Sequence, residues 1–91
     1  MKKSLLAVVH GRVQGVGFRD FLFNKAQLLE IRGWARNLTD GTVETMAQGS
    51  PLALERFLQV LKEGPIGSRV DSVQIQWAEE SVELSDFKIR G

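Results

Sequence analysis

Gly33-Trp34-Ala35-Arg36-Asn37-Leu38-Thr39-Asp40-Gly41-Thr42-Val43-Glu44-Thr45-Met46-Ala47 contains two alternating runs around an Asp-Gly pair. In the first run Trp34, Arg36 and Leu38 share one face, with Ala35 and Asn37 on the other; Thr42 to Ala47 alternates again. Alternation with period two places side chains on opposite faces of a strand. An Asp-Gly pair between two such runs is a strong hairpin signal, because both turn residues are expected at positive φ.

Outward from this hairpin, each flank contributes a strand and a helix. Leu5 to Val9 is short and apolar, β-rich toward its end, as expected of a central strand covered on both faces. Phe18, Phe21, Leu22, Ala26 and Leu29 then fall at helical spacing, with Asp20 in the first turn where it suits the helix dipole. After the hairpin, Ser50-Pro51 opens a second helix as N-cap and first helical residue. Leu54, Phe57, Leu58 and Leu61 form its apolar stripe, and Gly64-Pro65 closes it. Val73, Ile75 and Trp77 alternate with Gln74 and Gln76, a strand wet on one face, and Phe87-Lys88-Ile89 could add a short edge strand. Trp34, Trp77, Phe21 and Phe57 are expected in the core, and Phe18 is expected to anchor its loop by burial.

The order is βαββαβ. Two right-handed crossovers around one hairpin predict an α+β chain of the ferredoxin-like split βαβ class. Its sheet is expected to be antiparallel, with both helices on one face and the first and third strands side by side at its centre. Ninety-one residues suffice for a single core, so residues 1–91 are expected to form one domain, compact enough to be a monomer. The 43% apolar and 25% charged fractions are those of a soluble globule. A net charge of +1 gives no general pull toward nucleic acid, so anion binding must be local. The chain has no cysteine, which excludes disulfide and thiol chemistry and fits the cytoplasm. The basic start, Met1-Lys2-Lys3-Ser4, precedes too short an apolar run for a secretory signal, and no segment is long enough for a membrane span.

The chemistry is concentrated in His10-Gly11-Arg12-Val13-Gln14-Gly15-Val16-Gly17-Phe18-Arg19. Glycines between a strand and a helix permit a tight turn and leave backbone N–H groups open beside the positive end of the helix. Arg19 adds a planar, permanently charged fork, so the local reading is a phosphate or carboxylate cradle. The Gly-Lys-Ser/Thr ending of a nucleotide P-loop is absent, and Asp20 stands where a dinucleotide fingerprint needs glycine. His10 is the only histidine, and no carboxylates have metal-site spacing on one element. A hydrolase built here would work by positioning and charge stabilisation on a substrate with a good leaving group.

Gly11-Arg12-Val13-Gln14-Gly15-Val16-Gly17-Phe18-Arg19, followed by Gly33-Trp34-Ala35-Arg36-Asn37 and Asp40-Gly41-Thr42-Val43-Glu44, resembles the two signature blocks of acylphosphatases. Gly64-Pro65, Arg69-Val70 and Phe87-Lys88-Ile89 fit the family's later pattern. The resemblance implies a βαββαβ sandwich that hydrolyses acyl phosphates to a carboxylate and orthophosphate, with no cofactor and no metal. It implies that Arg19 binds the phosphoryl group and that Asn37 orients the attacking water. The amides of Gly15, Val16, Gly17, Phe18 and Arg19 would complete the cradle, with Gln14 at its mouth. The implied partners are a small acyl phosphate and inorganic phosphate, as product and inhibitor; neither nucleic acid nor membrane is implied. Arg12 and Arg36 read as surface or supporting charges.

Three positions depart from the family pattern. Glu30 stands where glycine commonly ends the first helix, Leu38 stands where many relatives have threonine, and a frequent terminal aromatic is replaced by Arg90-Gly91. Two rivals compete with the hydrolase. A non-catalytic anion-binding module would not need Asn37, and an RNA-binding sheet would need exposed aromatics on the third strand, which Thr42 to Ala47 lacks.

Overall fold

A computed structural model describes residues 3–79 and 84–91, and Met1 and Lys2 of the basic start lie outside them. The described chain runs β1 (Lys3–Arg12), α1 (Phe18–Leu29), β2 (Arg32–Asn37), β3 (Val43–Gly49), α2 (Pro51–Glu63), β4 (Arg69–Glu79) and β5 (Phe87–Arg90). The strands form one sheet in the order β4-β1-β3-β2-β5. β1 and β3 are adjacent near the centre, as the right-handed crossovers require. The fold is ferredoxin-like α+β.

The sheet is mixed rather than wholly antiparallel. β1 pairs antiparallel with β3 and β4, and β2 antiparallel with β3, but the tail strand β5 lies parallel to β2. β5 covers an edge of β2 that would otherwise expose unpaired backbone groups.

Both helices cover one face. Leu5, Ala7 and Val9 of β1, Ala35 of β2 and Val43 and Ala47 of β3 are fully buried against Leu22, Ala26, Leu54, Phe57 and Leu61. The opposite face is open, so β1 is covered on one side only and its Leu6 and Val8 are half-buried. Trp34 points to that open side with Arg36 and sits within 5.2 Å of the Arg36 guanidinium and 5.0 Å of that of Arg90. It is therefore not a core residue. Trp77 faces the helices from edge strand β4, beyond the width the two helices cover, and remains 49% exposed. Phe57 is fully buried, and Phe21 is half-buried against the core.

The hairpin also differs in detail. Leu38 N–H donates to Thr42 carbonyl and Gly41 N–H to Leu38 carbonyl, at 2.9 and 3.2 Å. The loop is thus the three residues Thr39-Asp40-Gly41, with Gly41 alone taking positive φ (92°). This is a turn followed by a left-handed glycine, which removes the need for positive φ at Asp40.

Glu30 ends α1 in the left-handed conformation (φ 56°, ψ 41°), the one non-glycine at positive φ among the described residues. Ile31 N–H reaches Ala26 carbonyl at 2.8 Å and Glu30 N–H reaches Gln27 carbonyl at 3.3 Å, a Schellman pattern. The pattern is geometrically complete but strained, because a side chain in this conformation costs about 1 kcal/mol. Glu30→Gly is expected to stabilise the protein by about 0.5–1 kcal/mol, a rise of a few degrees in Tm measured by thermal unfolding.

Candidate active site

One cleft opens where β1 hands over to α1. Val13, Gly15, Gly17, Phe18, Arg19, Asp20, Asn37 and Ile89 line it. Gly15 (φ 74°) and Gly17 (φ 73°) take left-handed conformations, and an added Cβ at either would meet open space. Their requirement for glycine is therefore conformational, and it creates a backbone concavity suited to an anion.

Gly17 is the N-cap of α1, and no described side chain caps that end; its carbonyl accepts from Phe21 N–H at 3.0 Å. α2 is built otherwise, with Ser50 Oγ accepting from Ala53 N–H at 3.1 Å. The start of α1 thus presents its unpaired donors and positive dipole end to the cleft. Phe18 is buried beneath this turn and packs edge-on to Phe21, with ring centroids 6.1 Å apart.

Arg19 Nη1 donates to the Arg90 carbonyl of β5 at 2.9 Å. One arm of the guanidinium is held by the sheet, and the remaining N–H donors stay available on the cleft side. Asn37 is the last residue of β2, opposite Val43, and its amide makes no hydrogen bond to another described residue. The turn is closed without it, by Leu38, Gly41 and Thr42 backbone groups and by Asp40.

Gln14 and Val16 do not line the cleft with their side chains. Gln14 Nε2 donates to the carbonyls of Leu38 (2.7 Å) and Thr42 (2.9 Å), so both amide hydrogens tie the loop to the head of the hairpin. Val16 packs against the core. Gly15, Gly17, Phe18, Arg19 and Asn37 come together as the sequence pattern anticipates. Val13, Asp20 and Ile89 join them unanticipated. The position of Ile89 follows from the parallel β2–β5 register, which local pattern does not reveal.

Supporting charges lie around the hairpin. Arg36 bridges to its cross-strand partner Glu44 at 2.6 Å on the open face. Asp40 Oδ1 accepts from Thr42 Oγ1 (2.6 Å) and Thr42 N–H (3.1 Å). The Thr42 hydroxyl first, and then its backbone N–H, hold the Asp40 carboxyl below its ordinary value of 3.8; the charge of His10 adds to this.

The acylphosphatase family model matches residues 5–89. An acylphosphatase of Thermus thermophilus is 53% identical over 77 residues, 85% of this chain and 88% of the relative. One from Salinibacter ruber is 39% identical over 98% of this chain and 94% of its own length. The crystal structure of acylphosphatase from Bacillus subtilis superposes with a TM-score of 0.95 at 34% identity, covering 98% of this chain and 99% of that one. The chain belongs to the acylphosphatase family.

Gln14→Glu replaces a double donor by an acceptor facing two carbonyl oxygens, and is expected to destabilise by about 2 kcal/mol in urea unfolding. Asp40, whose folded value is depressed, stabilises the protein above its unfolded value, and this stabilisation is lost as pH falls through the folded value. Asp40→Asn should therefore be less stable than the parent at pH 7, with the gap in urea midpoint closing below about pH 4.

Proposed function

We propose that this chain is a metal-independent acylphosphatase, hydrolysing the carboxyl–phosphate bond by in-line attack of water. The observation that carries the reading is convergence. The uncapped start of α1, the Arg19 fork and the Asn37 amide all face one cleft. The relatives named acylphosphatase match over nearly the whole chain, which favours the same reaction.

In this reading the phosphoryl oxygens sit among the amides from Gly15 to Arg19, and Arg19 makes a charge-assisted fork to them. Asn37 accepts from a water and holds it opposite the leaving carboxylate. An amide is a poor base, so the proton of that water passes to a phosphoryl oxygen of the substrate. The P–O bond to the acyl group breaks as the new P–O bond forms, releasing carboxylate and orthophosphate. A loose phosphoryl-transfer transition state needs mainly alignment and charge neutralisation, which these groups supply. Gln14 acts through the hairpin, holding the end of β2 against the loop rather than touching phosphate with its side chain.

Hydrolysis of benzoyl phosphate, with inorganic phosphate as competitive inhibitor, is the test. Turnover is expected to survive a chelator. Arg19→Ala should lose about 3–4 kcal/mol of transition-state stabilisation, the scale of removing one strong oxyanion donor. Asn37→Ala should lower kcat by a factor of about 10² while leaving the inhibition constant of phosphate nearly unchanged. An Asn37→Ala protein with the parent kcat would sink the assignment of the water-holding residue.

A further inference from the structure

Val13, Asp20 and Ile89 line the cleft without a part in holding phosphate or water, and of these Val13 is buried while Ile89 and Asp20 are accessible. Ile89 is 41% exposed, an apolar group at the rim between the charged residues Lys88 and Arg90. The parallel register sets it opposite Ala35, on the same face as Asn37 and one residue before the carbonyl that holds Arg19. Its position is therefore tied to the reacting groups on both sides. A dianionic phosphoryl group gains nothing from an aliphatic side chain, but the acyl end of the same substrate does.

Asp20 is the second such residue. It follows Arg19 in the first turn of α1, and its exposed carboxylate stands on the rim of a site built for an anion. At that place a fixed negative charge favours an uncharged acyl group, because a second charge on the substrate would be repelled.

We propose that this cleft selects acyl phosphates whose acyl group is uncharged and apolar, through contact with Ile89, and disfavours those whose acyl group carries a second carboxylate, through Asp20. The preferred substrates are mixed anhydrides of phosphate with apolar monocarboxylic acids. The proposal rests on the hydrolase reading above and deepens it.

Three substrates separate the parts: acetyl phosphate, benzoyl phosphate and 4-carboxybenzoyl phosphate, the last two differing by one charge on a rigid ring. The parent chain should show the highest kcat/KM with benzoyl phosphate. Ile89→Ala should lower the benzoyl-to-acetyl ratio of kcat/KM by about five-fold, within the range of a few methylene contacts. Ile89→Leu should keep the parent ratio. Asp20→Asn should raise the 4-carboxybenzoyl-to-benzoyl ratio by about three-fold at low salt, the gain shrinking as salt screens the charge. An unchanged benzoyl-to-acetyl ratio in Ile89→Ala overturns the apolar contact. Equal gains on both ring substrates in Asp20→Asn overturn the charge filter. If the parent hydrolysed none of the three, the hydrolase reading itself would fall, and the selectivity with it.

Discussion

Val9, Val43 and Asn37 lie in one row across the sheet, and the site depends on that row. Val43 of β3 pairs with Val9 of β1 on one side and with Asn37 of β2 on the other. Val9 is near the end of the strand that feeds the glycine-rich loop, so one register joins that loop and the Asn37 amide. Side chains alternate, so a one-residue slip would turn Asn37 to the open face and push Arg36 under the helices. Burial of Ala35, Val43, Thr45 and Ala47 opposes any slip. Gly33 allows β2 to approach β3 closely enough that an added Cβ would overlap the Met46 carbonyl. On the open face, the Arg36–Glu44 pair is formed only in this register.

Hydrogen bonds to backbone carbonyls then hold the site's pieces together. Gln14 reaches from the loop to Leu38 and Thr42, and Arg19 reaches from α1 to Arg90. Each joins segments distant in sequence through an acceptor that any residue at the position would provide. The identity of Leu38 therefore does not bear on this bond: its carbonyl, not its side chain, accepts from Gln14. Thr42 has a further part, since its side chain and N–H both engage Asp40 while its carbonyl receives Gln14.

The sequence made legible whatever local pattern encodes. Alternation and capping residues located the helices and strands, and Asp40-Gly41 located the hairpin, although the loop is one residue longer than a two-residue turn. Trp34 lies outside the core although its size suggests burial, because two-residue spacing puts it on the same face as Arg36. Trp77 is half exposed although it faces the helices, because alternation encodes which face a residue occupies, not how far the helices extend over an edge strand. The glycines, Arg19 and Asn37 of the site carry strong signals in residue type and spacing. Ile89 does not, because its place follows from parallel pairing with β2, a contact between segments far apart in the sequence. Asp20 was legible only as a dipole-complementing residue, since nothing local shows that the same turn rims the cleft.

The two helix starts treat their orphan backbone donors in opposite ways. α2 begins with a serine side chain bonded to its first turn and proline at its first position, features that satisfy or remove orphan donors. α1 begins with a left-handed glycine and no described side-chain cap, so its donors are left to water or to an anion. A serine cap needs an extended backbone, which the left-handed Gly17 does not offer, and its oxygen would occupy the donors that the proposed cradle uses. The strain at Glu30 has no such counterpart, because it sits at the opposite end of α1, away from the cleft. In the proposed reading, anion binding and helix stability are linked at the first end of this helix, and only backbone strain is at issue at the second.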